Sequence, residues 1–207
     1  MINKQSTIIL SGGLGSRLGY VEKGLLEIQG EQLIQRKINQ LKPQFEQVIL
    51  VTNKPDLYEH LADVLLVQDE KKHQGPLFGL YAGLKASPNT INFVSAVDMP
   101  YFIPQLVDYF AKFSKDYQTV VAKINNTIQP LFGFYAKSSL EKIAEMLEDS
   151  KGKKSVTAVS ENTKAKVISE TEVRKIDPDL KSFININTEE DLATFSCHPC
   201  ESRDPGL

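Results

Sequence analysis

Short runs of apolar, β-branched residues alternate along the chain with longer stretches in which apolar positions recur every three or four residues. This is the pattern of strands interleaved with amphipathic helices. "STIILS" (Ser6–Ser11) predicts a first buried strand. In residues 31–42, Leu33, Ile34, Ile38 and Leu41 share one helical face. "QVILVTN" (47–53) predicts a second strand stopped by Pro55, then a short helix over 56–62 and a third strand, "VLLVQD" (64–69). A helix is expected over 75–87, where Pro76 suits the first turn because its missing N–H is harmless there. Gly79 and Gly83 lie four apart on one face of it, which fits either a close approach or plain packing.

"INFVSAVD" (91–98) is the candidate central strand, and "MPYFIP" then forces an extended exit, since a residue before proline avoids the α region. A helix over 104–114 precedes two strands around the turn at Asn125 and Asn126, residues that tolerate the positive φ of tight hairpins. A helix over 138–149, the basic stretch "KGKKSV", a strand "SFININ" (182–187) and a helix opened by Thr188 complete the chain. Asp191, three residues after Thr188, makes an acidic capping box.

Strands alternating with helices, without repeats or a Pro/Gly/Ser linker, predict one α/β domain: a Rossmann-like three-layer fold with an open, mainly parallel sheet. Ligands in such sheets lie beyond the carboxyl ends of the strands, at a topological switch point. Three segments end there: the glycine loop after the first strand, Asp69 after the third, and Asp98 after the central one.

Composition narrows the function. The 207 residues are 41% hydrophobic with a formal charge of −2, which is not the basic footprint of a nucleic-acid binder. No apolar run approaches the roughly 18 residues of a membrane span. The start lacks the long apolar segment of a signal peptide, so cytoplasm is the expected compartment. Cys197 and Cys200, in "CHPC", lack the second cluster that a four-coordinate zinc site needs, and 197–207 read as a disordered tail after a domain over 1–196. His60, His73 and His198 enter no triad or metal cluster.

The glycine loop carries the candidate chemistry. A dinucleotide fingerprint needs G-x-G-x-x-G, but from Gly13 the spacing gives Gly13, Gly15 and then Leu18. A Walker A loop needs G-x-x-x-x-G-K-[ST], yet after Gly19 and Gly24 stand Leu25 and Leu26. What remains is S-G-G-x-x-x-R-L-G-x-x-E-K. The backbone N–H groups at Gly12 and Gly13 can form a nest for phosphate oxygens. Arg17 can fork onto two such oxygens and Lys23 can deliver a point charge. This suits a triphosphate that must lose pyrophosphate; the alternative is an ordinary glycine-rich turn with solvated cations.

"LSGGLGSRLGYVEKGLLEIQG", "GPLFGLYAGL", "DMPYF", "QPLFGFY" and "FININTEEDL" together resemble the molybdenum cofactor guanylyltransferases, a branch of the Rossmann-like nucleotidyltransferases. The resemblance implies the fold of the nucleotide-diphospho-sugar transferases. It implies that Leu10, Ser11, Gly12 and Gly13 bind GTP with Lys23 on its phosphates. Asp69 and Asp98 would also contact the nucleotide, Asp98 holding Mg²⁺ with Asn185 or Asn187 as a possible second ligand. Ser11 stands where alanine is common in the family, and Tyr20 where glycine is frequent.

The implied reaction joins GMP from GTP to the terminal phosphate of Mo-molybdopterin and releases pyrophosphate. Its nucleophile is already an anion, so catalysis would rest on charge and positioning by Arg17, Lys23 and Mg²⁺ on Asp98. Asp98 before Met-Pro also makes a good turn, and Asp69 could be a plain loop start. Lys151, Lys153 and Lys154 could meet the acceptor's phosphate or simply be solvated, and "QPLFGFY" could line its pocket. Transient contact with molybdenum cofactor insertion or delivery proteins is expected. The other readings are a cytidylyltransferase, another nucleotidyltransferase on a phosphorylated acceptor, or a non-catalytic nucleotide-binding adaptor.

Overall fold

The computed structural model describes residues 5–12, 14–15, 21–68, 75–149, 152, 154–188 and 190–192. Gly13, Arg17, Tyr20, Asp69, His73, Lys151, Lys153, Cys197, His198 and Cys200 lie outside them, as does the expected tail.

Seven strands form the main sheet: β1 (Ser6–Ser11), β2 (Gln47–Thr52), β3 (Val64–Gln68), β4 (Ile91–Ala96), β5 (Thr119–Ile124), β6 (Thr127–Ala136) and β7 (Ala165–Ser169). Their spatial order is β7-β5-β6-β4-β1-β2-β3. β4-β1-β2-β3 is a parallel block, β6 runs antiparallel to both β4 and β5, and β7 is parallel to β5. The expected mainly parallel α/β sheet is therefore present. The chain leaves β1 toward β2 and β3 on one side and returns to β4 on the other, so the switch point lies between the tips of β1 and β4.

Among the described residues, six helices cover the two faces: α1 (Leu33–Leu41), α2 (Pro76–Ala86), α3 (Pro104–Ala111), α4 (Leu140–Glu148), α5 (Val156–Asn162) and α6 (Glu170–Arg174). Side chains alternate across a strand, and β1 divides its own accordingly. Ile9 joins one core with Leu33, Ile34, Ile38 and Leu41 of α1 and Leu106 and Phe110 of α3. Ile8 and Leu10 join the other with Leu77, Leu80 and Leu84 of α2, Ile143 of α4 and Val159 of α5. Phe93 of β4 centres the first core, with its ring edge-on to Phe132 at 5.1 Å and stacked on Phe45 at 5.6 Å.

Of the two helical glycines on α2, Gly83 is the close approach: a Cβ there would stand 2.7 Å from Ile8 Cγ2. At Gly79 the nearest atom would be Leu10 Cδ2 at an ordinary 3.5 Å. The turn between β5 and β6 has φ of 48° at Asn125 and 60° at Asn126, the double positive φ that a two-residue hairpin of matching twist requires.

The short helix expected over 56–62 is only a 3-10 turn at Pro55–Tyr58, and two larger expectations need correcting. "SFININ" is not a strand: Lys181–Phe183 form a 3-10 turn, and the chain then crosses the strand tips, bonded there by Ile186 N–H to the Asp98 carbonyl at 2.8 Å. Its apolar residues are claimed from the side instead, with the Phe183 ring 5.0 Å from Phe132. The sequence pattern assigns no element to residues 156–174, where the structure builds α5, β7 and α6. The helices there have 7 and 5 residues, too few for a periodic signal to accumulate, and their caps define them. Ser155 Oγ accepts from Ala158 N–H, and Ser169 with Glu172 forms a capping box.

Candidate active site

A cleft of about 390 Å³ opens at the switch point, within the volume range of small-molecule sites. The β1 tip gives it Leu10, Ser11 and Gly12, the β4 tip Ala96, Val97 and Asp98, and the β2 tip Val51, Thr52 and Asn53. Val97 N–H donates to the Leu10 carbonyl at 3.1 Å, carrying the β1–β4 pairing past the end of the strand. Gly75 and Pro76, at the start of α2, line the opposite wall. Gly75 has φ of 96°, and a Cβ there would meet nothing within 4 Å, so backbone conformation, not space, favours glycine.

Lys23 reaches the same cleft from the far end of the glycine loop. Its Nζ donates to Asp98 Oδ2 at 2.7 Å and to Asn187 Oδ1 at 2.7 Å. The Lys23 and Asp98 side chains are 18% and 19% exposed, so the pair is largely withdrawn from solvent. The lysine's backbone is braced from behind. Gly24 packs so closely that a Cβ would stand 2.7 Å from the Tyr58 hydroxyl and 3.0 Å from Ser11 Oγ. Those two hydroxyls are themselves 3.2 Å apart, and burial raises the Tyr58 phenol above its ordinary pKa against the pull of the Ser11 bond. Buried Glu22 pairs with Lys54 Nζ at 2.9 Å.

Asn187 is held by the helix start that follows it. The Asp191 carboxylate accepts from the N–H groups of Asn187 at 2.8 Å and Thr188 at 2.9 Å, while Thr188 Oγ1 accepts from Asp191 N–H. The capping box expected from Thr188 and Asp191 is thus formed, and it fixes the backbone of Asn187, whose amide oxygen accepts from the Lys23 ammonium. These backbone donors keep the Asp191 carboxyl below its ordinary range, with the Lys23 charge adding to the effect.

The structure thus brings together Leu10, Ser11, Gly12, Lys23 and Asp98 from the sequence-predicted set, and of the two asparagines it is Asn187 whose carbonyl oxygen reaches the ammonium. Arg17, Gly13 and Asp69 fall outside the described residues. Among the described residues no three His, Cys, Asp or Glu side chains gather as a metal cluster. One carboxylate and one amide carbonyl, already sharing a cation in the form of the Lys23 ammonium, are nonetheless hard oxygen donors of the kind Mg²⁺ takes alongside substrate phosphates. The residues present therefore fit such an ion.

Asn53 and Lys37 escaped the sequence reading, whereas Leu131 comes from the "QPLFGFY" segment expected to line a pocket. Asn53 ends a strand at the ligand edge, a position that could have flagged it. Leu131 lines the cleft because the β5–β6 register shifts between Gln129 and Gly133, a bulge that re-aims a side chain. Lys37 interrupts the apolar stripe of α1. It is 1% exposed, and its Nζ donates to the Met99 carbonyl at 2.7 Å, directly after Asp98. Gln40 Nε2 donates to the Pro100 carbonyl at 3.1 Å, so α1 holds the whole Met-Pro exit. "QPLFGFY" otherwise goes to the core, with Phe132, Phe134 and Tyr135 buried.

A family model described as MobA-like NTP transferase domain matches residues 7–165. Two curated relatives carry the name "Probable molybdenum cofactor guanylyltransferase". The one from Peptoclostridium acidaminophilum is 33% identical over 198 residues, covering 92% of this chain and 88% of its own. The one from Methanosarcina mazei is 33% identical over 208 residues, covering 95% and 92%. Among solved structures, molybdopterin-guanine dinucleotide biosynthesis protein A from Archaeoglobus fulgidus superposes with a TM-score of 0.78 at 25% identity, covering 93% of this chain and 97% of that one. Among the described residues, no helix is long and apolar enough to cross a membrane.

Proposed function

Because the chain belongs to the MobA-like NTP transferase family and aligns along most of its length with molybdenum cofactor guanylyltransferases, we propose that it transfers GMP from GTP to Mo-molybdopterin, forming the guanine dinucleotide cofactor. One observation carries this reading at the level of chemistry. Asp98 and Asn187, 75 and 164 residues from Lys23 in sequence, meet its ammonium at 2.7 Å on the rim of a cleft at the switch point.

A terminal phosphate oxygen of the acceptor attacks the α-phosphorus of GTP, the α–β P–O bond breaks, and its electron pair leaves with pyrophosphate. The attacking oxygen is already anionic, so no side chain need remove a proton. What the residues must do is hold two polyanions together and in line. The exposed backbone at Gly12 and the start of α2 would face the triphosphate, where helix N-terminal N–H groups favour anions. Lys23 would pair with a phosphate oxygen on which charge grows as pyrophosphate departs. Asp98 and Asn187 are the residues that would hold Mg²⁺, which supplies charge neutralisation between the phosphates. Leu131 and Val51 give the cleft apolar walls that limit water.

The test has two stages. A thermal-shift screen of GTP, CTP, ATP and UTP with Mg²⁺ is expected to show selective stabilisation by GTP, since a ligand of the native state raises apparent stability by mass action. Incubation with α-labelled GTP and Mo-molybdopterin should then move label into the dinucleotide with stoichiometric pyrophosphate. Selective CTP stabilisation would instead assign cytidylyl transfer, and GTP binding without pyrophosphate release would make the protein an adaptor.

A further inference from the structure

We propose that the Lys23 ammonium is a place-holder for the divalent cation, occupying its oxygens until a nucleoside triphosphate draws the lysine away. The two atoms it bonds, Asp98 Oδ2 and Asn187 Oδ1, each at 2.7 Å, are the same two that the donor chemistry assigns to the metal. A lysine bonded to both and a dication bonded to both exclude each other. Their charges would lie within roughly 4 Å of one another, where Coulomb repulsion is weakly screened because both side chains of the ion pair are mostly withdrawn from water.

The lysine has somewhere else to go. Lys23 lines the same cleft as Gly12 and Pro76, so a triphosphate seated there offers oxygens in exchange for those it gives up. Only the side chain need swing, because Gly24 is wedged against Tyr58 and Ser11 and fixes the backbone. Asn187 stays in place as well, held by the Asp191 carboxylate through its own N–H and that of Thr188. The oxygens are thus preorganised, and the exchange is one cation for another. Metal binding and nucleotide binding become mutually reinforcing, each strengthening the other by the same factor, and metal without nucleotide binds poorly.

This inference rests on the metal-dependent reading of the cleft, but its test needs neither acceptor nor turnover. The full chain is titrated with Mn²⁺ alone, without nucleotide, and free Mn²⁺ is followed by electron paramagnetic resonance. Lys23→Met and Lys23→Gln are compared with the parent protein, with circular dichroism to establish that each variant is folded; Gln keeps a polar group at the site and decides the matter if Met does not fold. The expected result is Mn²⁺ affinity raised by about ten- to hundredfold in the folded variants, the scale of a charge-assisted hydrogen bond. Adding Asp98→Asn should remove the gain. Unchanged or weaker Mn²⁺ binding in the folded variants overturns the place-holder. If Mn²⁺ tightens but no GMP is ever transferred, the proposed reaction falls and the exchange stands; if GMP is transferred and Mn²⁺ affinity is unchanged, the reaction stands and the exchange falls.

Discussion

Replacing Lys37 by methionine deletes an ammonium that the fold buries completely and leaves the Met99 carbonyl without its donor. Lys37 is 1% exposed and lies among Leu33, Ile34, Ile38 and Leu41 on the inward face of α1. Burial pulls its pKa from the ordinary 10.5 down to about 7, against the opposing pull of the Asp98 charge. The folded value is thus the lower one. Between pH 7 and 10.5 the unfolded chain binds a proton that the folded chain does not, and the unfolding free energy must rise with pH through that window.

The slope approaches about 1.4 kcal/mol per pH unit well above the folded pKa and is half that at it. Integrated from pH 7 to pH 9, the native protein should gain about 2 kcal/mol relative to Lys37→Met. Below about pH 6 both states carry the proton and the difference should level off. The assay is urea denaturation of both proteins at several pH values in chelator, plotting only their difference so that other titrations cancel. The offset of that plot mixes relief from burying a charge with the cost of an orphaned carbonyl, so the test is the slope. A difference that stays flat to within about 0.5 kcal/mol across this range refutes the argument that Lys37 is held near neutrality.

Lys23→Ala is expected to cut turnover by about a hundredfold, the usual scale for a lost charge-stabilising donor; near-parental pyrophosphate release would remove Lys23 from the machinery. Asp191→Ala should raise the Mg²⁺ requirement of turnover by roughly tenfold, because Asn187 loses the carboxylate that fixes its backbone, and an unchanged Mg²⁺ titration would count against that role. Gly83→Val should cost about 3 kcal/mol or more from overpacking against Ile8 and Val51, read as a loss of roughly 5–10 °C in Tm. Gly79→Ala, whose new Cβ meets only ordinary contacts, should leave Tm within a few degrees.

Much of this architecture is written locally. The apolar run of β1 emerges with the residues expected, Ser6–Ser11, because six consecutive buried positions flanked by polar chain suit little but an inner parallel strand. The spacing of Leu33, Ile34, Ile38 and Leu41 and the asparagine pair at the hairpin are decided within a few residues of chain. Lys23 and Asp98 could be singled out because each follows a strand pattern that ends at the ligand edge. "SFININ" misled for the same reason that these succeeded: its alternation is real, but the segment crosses the strand tips, bonded by Ile186 N–H to the Asp98 carbonyl, instead of running beside a strand. The strand tips, the Phe132 ring and the Asp98 carbonyl were the partners on offer.

By itself, then, the sequence determined the order and kind of most elements, the absence of a familiar dinucleotide or Walker loop, and the two charged residues around which a site could form. These follow from periodicity and turn chemistry, which act over one or two turns of chain. Only the tertiary structure decided that Asn187 completes the oxygens around Lys23, that a bulge turns Leu131 into the cleft, and that Lys37 is sealed under Asp98. Each depends on sheet order and on helix docking, which join residues tens to more than a hundred positions apart, and no local pattern carries that distance.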